Sequence, residues 1–98
     1  MTTEIKKTAQ ATTIQVAGRL DTTTAPVLEK NICREIEGTQ NLILDLKEMV
    51  YISSAGLRVL LSAQKMMMKI GTMKVKNVCP DVMEIFEMTG FADILEIE

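Results

Sequence analysis

Apolar residues in this chain follow two different spacings, and the points where one gives way to the other outline its elements. Glu4–Thr8 and Thr12–Ala17 are alternating or β-branched, with Ile14 and Val16 on one face and a polar turn at Gln10–Ala11 between the segments, which predicts an opening hairpin. After Gly18, the run Arg19-Leu20-Asp21-Thr22-Thr23-Thr24-Ala25-Pro26 is rich in turn and cap residues, and Thr24 is placed to cap a helix whose first turn tolerates Pro26. Ala25, Leu28, Ile32 and Ile36 then recur at helical spacing, with Gly38 placed as the stop. The pentad Leu42-Ile43-Leu44-Asp45-Leu46 is too short for a helix and too apolar for a one-sided strand, so it predicts a central strand buried on both faces, with Asp45 as its anomaly.

A second helix is predicted over Ala55–Ile70. Arg58, Ser62, Lys65 and Lys69 fall within an arc of roughly 60° at 100° per residue, and Gly56, Leu60, Ala63, Met67 and Ile70 lie opposite. Leu57, Leu61, Met66 and Met68 border this narrow polar stripe, as core or as a soft, partly exposed apolar contact. Gly71 ends the helix, Met73–Val78 predicts another strand, and Pro80-Asp81 opens a third helix with Val82, Ile85, Phe86 and Thr89 along one side and Gly90 as stop. Ile94–Ile97 is expected as a last strand. The order β-β-α-β-α-β-α-β gives an α/β fold, a mixed sheet with a mainly parallel centre joined by right-handed crossovers. No linker or repeat interrupts it, so residues 1–98 are expected to form one domain.

Composition narrows the chemistry. The chain has no histidine, so imidazole-based nucleophilic catalysis and histidine-containing metal sites are excluded. Eleven basic against 13 acidic residues leave no cationic excess to release counterions from a phosphate backbone, which argues against direct nucleic-acid binding. The apolar runs are far below membrane-spanning length and Met1–Gln10 lacks the apolar core of a signal peptide, so a cytoplasmic protein without membrane insertion is expected. Cys33 and Cys79, at no metal-ligand spacing, are expected as small buried apolar residues. Tyr51, Phe86 and Phe91 are the only aromatics, so aliphatic residues and eight methionines must fill the core.

The most informative stretch runs from Leu44 to Leu61. It places two hydroxyls, Ser53 and Ser54, where a loop from the carboxyl end of a buried strand enters a helix, beside free backbone N–H groups. From the residues themselves three roles stand open: a helix N-cap, a nucleophile, or a phosphoacceptor. The nucleophile fits least, since the G-x-S-x-G pattern is missing and no histidine can take the proton. Asp21 is open between a local cap for the Thr-rich turn and a contact with a partner, and Asp45 between a satisfied structural carboxylate and a catalytic base.

The stretch Asp45-Leu46 followed by Tyr51-Ile52-Ser53-Ser54-Ala55-Gly56-Leu57-Arg58-Val59-Leu60-Leu61 resembles the signature of the STAS-domain anti-sigma factor antagonists. Gly18-Arg19-Leu20-Asp21 is similar to that family's turn after the hairpin, and Asp81–Gly90 to its third helix. The resemblance implies a STAS-like fold and a phosphorylation-controlled partner switch. In such a switch the unphosphorylated protein would bind an anti-sigma factor, in that family often also a serine kinase, and free the sigma factor. Phosphorylation would end the complex, and a metal-dependent serine phosphatase would restore it.

Aligned on Gly56-Leu57, the phosphoacceptor falls on Ser54, with Ser53 as second choice where the family commonly has an acidic residue. Asp21, Thr22, Ser53, Ser54, Gly56, Leu57 and Leu61 are the implied partner-binding residues, with Asp45 orienting the serine loop. The same resemblance implies a non-enzymatic protein without cofactor or metal, monomeric when free. The alternative is a non-phosphorylated STAS scaffold or accessory subunit in a lipid-transport or stress-signalling assembly.

Overall fold

In the computed structural model, which describes residues 1–98, the chain opens with an antiparallel hairpin of β1 (Thr2–Lys7) and β2 (Thr12–Leu20). Thr8 pins its turn, its backbone N–H and its hydroxyl both donating to the Ala11 carbonyl at 2.8 and 3.2 Å. Helix α1 (Ala25–Ile36) leads to β3 (Asn41–Asp45), then β4 (Met49–Ile52), α2 (Ser54–Ile70), β5 (Thr72–Lys76), α3 (Pro80–Thr89) and a single turn, α4 (Phe91–Ile94). The sheet runs β1-β2-β3-β5, antiparallel at its first pair and parallel thereafter. The expected mixed α/β architecture with a parallel centre is therefore present.

Two details differ from the expected element order. β4 is an additional strand, and it pairs with the last residues of β2, beyond the point where β3 has left it; the register shifts between Gly18 and Arg19. The strand expected at Ile94–Ile97 is reduced to one bridge, Ile97 beside Val75, because Phe91–Ile94 continue as a helical turn after Gly90. Backbone bonds from Val75 N–H to Glu96 O at 2.8 Å and from Glu98 N–H to Val75 O at 2.9 Å hold that end on the sheet edge, and Lys74 and Lys76 pair with the Glu98 carboxylate.

Burial alternates along the strands. Ile14, Val16, Leu42, Leu44, Met73 and Val75 are at most 1% exposed, whereas Gln15, Ile43, Asp45, Lys74 and Lys76 on the opposite face are only half-buried. The expectation of a β3 buried on both faces is thus corrected: Ile43 sits on the open face between Thr13 and Lys74, and its apolar side chain makes the pentad look more enclosed than it is. The buried face joins α1, α2 and α3 in a cluster of 21 buried hydrophobic residues, with Phe86 its only fully buried aromatic and Met49, Met67 and Met73 filling much of the rest. Ile70 is 49% exposed because it lies in the last turn of α2, past the end of the core. Cys33 is exposed and Cys79 half-buried, so the expected burial of both is corrected. Cys33 follows the buried Ile32 on α1, about 100° around the helix.

Gly71 follows α2 where the chain passes against the backbone of Gln40, and Thr72 N–H donates to the Gln40 carbonyl at 2.9 Å. A Cβ at position 71 would overlap that carbonyl, so the smallest residue is needed here for space.

Candidate functional site

Two turns meet at one end of the sheet. The first follows β2. Asp21 Oδ1 accepts the N–H groups of Thr23 at 3.0 Å and Thr24 at 3.2 Å, and Asp21 O accepts Ala25 N–H at 2.8 Å. Asp21 thus closes the Thr-rich turn as a local cap. The cap expected from Thr24 is not made: its hydroxyl is turned back into the same turn, donating to Arg19 O at 2.9 Å and accepting from Asp21 N–H at 2.9 Å, and Thr24 already has helical dihedrals. The Thr24 N–H bond, with the Thr23 N–H, the Thr24 hydroxyl and the nearby Arg19, holds the Asp21 carboxyl below its ordinary value against a smaller opposing effect of desolvation.

The second turn joins β4 to α2. Ser53 is extended (φ −98°, ψ 176°) and is the N-cap: its carbonyl accepts Leu57 N–H at 2.9 Å, and its hydroxyl weakly accepts Gly56 N–H at 3.5 Å. Ser53 N–H donates to Leu20 O at 2.9 Å, which fastens this turn directly to the one closed by Asp21. Ser54 is the first helical residue, is exposed, and its hydroxyl has no hydrogen-bond partner within the chain. The two serines, open to the same roles in sequence, are therefore separated by the backbone. Ser53 is engaged in capping and Ser54 is free.

The remaining expected partner-binding residues divide by exposure. Thr22 is exposed and lines an open groove of about 330 Å³ between α1 and α2 with Pro26, Glu29, Ala55, Arg58 and Ser62. Leu61 is half-buried. Gly56 and Leu57 face inward, Leu57 being 7% exposed, so their expected role as direct contacts is corrected to a supporting one. A Cβ on Gly56 would come within 2.8 Å of Leu20 Cγ and Ile52 Cγ1, so its missing side chain lets the first turn of α2 press onto β2 and β4 and fixes the height of Ser54.

Asp45 does not reach the serine turn. Its Oδ1 accepts Lys47 N–H and Asn77 Nδ2, each at 3.0 Å, and its Oδ2 accepts Gln15 Nε2 at 3.4 Å. The expected orienting role is corrected accordingly: β3 ends one turn before β4, so Asp45 ties the β3–β4 turn to the loop after β5. Partial desolvation pushes the carboxyl up, but the bonds from Asn77, Lys47 N–H and Gln15 outweigh it and leave the value below the ordinary 3.8. A depressed folded-state value means that this carboxylate stabilises the fold fully above about pH 3.8 and progressively less as acid protonates it. Asp45→Asn is therefore expected to be less stable than the parent at pH 7, by a margin that narrows at pH 3. Urea unfolding of both proteins at the two pH values measures it, and a margin that is constant or larger in acid contradicts the assignment.

Sequence reasoning missed Arg19 and Tyr51 as a pair. The guanidinium lies 4.2 Å from the ring centroid, and the pairing follows from β4 being a strand, which sets Arg19 opposite Tyr51.

A protein-family model described as the STAS domain matches residues 2–98. The anti-sigma-B factor antagonist of Bacillus subtilis (strain 168) is 30% identical over 95 residues, covering 96% of this chain and 87% of that protein. An anti-sigma factor antagonist from Mycobacterium paratuberculosis has a crystal structure that aligns with a TM-score of 0.88 at 24% identity, over 98% of this chain and 83% of that one. SpoIIAA from Bacillus, solved in its phosphorylated form, aligns with a TM-score of 0.77 at 16% identity, over 99% of this chain and 91% of that one. These two structural likenesses concern the fold. No helix here is long and apolar enough to cross a membrane.

Proposed function

The chain belongs to the STAS-domain family, among its anti-sigma factor antagonists, and from that premise we propose that it is the reversible component of a partner switch controlled at Ser54. The unmodified protein binds an anti-sigma factor and frees the sigma factor. That partner, acting as an ATP-dependent serine kinase, phosphorylates Ser54 and ends the complex, and a metal-dependent serine phosphatase restores it. The chain supplies a hydroxyl and a surface rather than a catalytic group, and it works in the cytoplasm, monomeric when free.

The observation that carries this reading is the exposed, unpartnered hydroxyl of Ser54 beside a neighbour, Ser53, whose own hydroxyl caps the helix. A free hydroxyl can enter a kinase site without giving up a bond in the fold. Thr22, exposed, and Asp21 and Leu61, half-buried, are the surface a partner would cover, while Gly56 lets the first turn of the helix press onto Leu20 and Ile52.

Incubation with the cognate kinase and ATP is expected to add one phosphate, mapped by mass spectrometry to Ser54. Ser54→Ala is expected to take up none, and Ser53→Ala to be modified still. Phosphate on Ser53, or none on either serine, would overturn the site assignment.

A further inference from the structure

Arg58 stands one turn beyond Ser54 on α2, about 6 Å along the axis and about 40° around it. Arg58 lines the groove between α1 and α2, and because side chains on a helix lean toward its N-terminus, its side chain can reach from there to the side where Ser54 lies. It is exposed, and none of the five ion pairs in the molecule includes it. Glu29, which lines the same groove from α1, is the only carboxylate there and lies beyond ion-pair distance. The cation is thus uncommitted, unlike Arg19, which stacks on Tyr51, or Arg34, which pairs with Glu35.

Resting on Ser54 as the phosphoacceptor, we infer that Arg58 is the internal counterion of the phosphorylated protein, swinging from the groove to bind the Ser54 phosphate. An Arg fork donates two N–H groups to one phosphate, a geometry a single ammonium does not offer. The same movement has two results. It compensates the new charge within the free chain, and it removes a cation from the groove lined by Thr22, Glu29 and Ser62. Phosphorylation then alters the partner surface twice, by adding a phosphate and by withdrawing Arg58. Ser53 lies outside the helix and is five residues from Arg58, off the favourable spacing, so the counterion also distinguishes the two serines.

The test uses the full chain with phosphoserine installed at position 54 during translation, so that no kinase is needed. Phosphorus NMR titration is expected to place the second ionisation of the phosphate about 0.2–0.4 pH unit lower in the parent than in Arg58→Gln, with Arg58→Lys between them. Phosphoserine installed at position 53 is expected to titrate alike with and without Arg58. Equal midpoints in the parent and Arg58→Gln at position 54, or an equal response at position 53, would overturn the inference. A kinase that leaves Ser54 unmodified would instead overturn the reading on which it rests, and the titration reads the Arg58 coupling independently of that result.

Discussion

A chain carrying phosphate on Ser54 is expected to bind its anti-sigma partner roughly 30- to 5,000-fold more weakly than the unmodified chain, equivalent to about 2–5 kcal/mol. The loss arises at the interface. Ser54 Oγ contacts nothing in the fold, so adding about two negative charges there breaks no internal bond, and the free N–H groups of the first turn of α2 partly offset the charge. In the complex, the same group would have to lose its water beside a surface fitted to a small neutral hydroxyl. Isothermal calorimetry with phosphoserine installed at position 54 measures the change, and thermal unfolding of the same sample separates the two origins. A weakened complex with an unchanged melting temperature is expected. Equal affinity, or a loss that tracks a lowered melting temperature, would show that the charge acts otherwise. Ser54→Ala should fold as stably as the parent and still form the complex, because the hydroxyl makes no contact within the fold that its removal could disturb and the substitution adds no charge.

That expectation depends on telling Ser54 from Ser53, and the sequence alone left both open to the same chemistry. Helical periodicity located α2 to within one residue of its start, and the helices α1 and α3 equally well, because each has a run of apolar residues at 3.6 spacing against one face of a sheet. What periodicity does not encode is which residue takes the extended N-cap conformation. That depends on Ser53 N–H being held by Leu20 O, a bond between segments more than 30 residues apart.

The same nonlocality hid β4. Its four residues carry buried ends and exposed middles, a pattern that lacks the alternation of a one-sided strand, and it becomes a strand only because the end of β2 has an unpaired edge for it to join. With β4 went the Arg19–Tyr51 stack. Asp45 stands out in the sequence because it interrupts an apolar strand, but its partners Asn77 and Gln15 come from other strands and loops, which the sequence does not place. The exposure of Cys33 is similar: residue type favours burial, and only the packing of α1 decides which side of the helix remains wet.

Gly71 extends this argument from position to energy. Read along the chain it is a helix stop, and its φ of 173° is not the left-handed conformation that by itself demands glycine. In the fold it is the point at which the chain leaving α2 crosses the start of β3, and a Cβ there would collide with the Gln40 carbonyl. That carbonyl is not a flexible side-chain tip that can rotate aside. It accepts Thr72 N–H, the first bond that sets β5 beside β3, and Gly71 N–H is itself held by Met67 O at 2.7 Å. Relief of the overlap therefore requires α2 to lose its last turn or β5 to move off β3, whose register brings Met73 and Val75 into the core beside Leu42 and Leu44. Gly71→Ala is expected to destabilise the protein by about 3 kcal/mol or more, at the upper end of the range for overpacking, because backbone and not a side chain must give way. At Gly56 a Cβ would meet side-chain atoms of the buried Leu20 and Ile52 at 2.8 Å rather than a backbone carbonyl at much closer range, so the overlap is smaller and Gly56→Ala should cost less. Urea unfolding of the two variants beside the parent compares them directly. A domain of 98 residues has little stability in reserve, so Gly71→Ala should begin to unfold at low denaturant, and a smaller loss for Gly71→Ala than for Gly56→Ala would show that the β3–β5 crossing yields more easily than its hydrogen bonds imply.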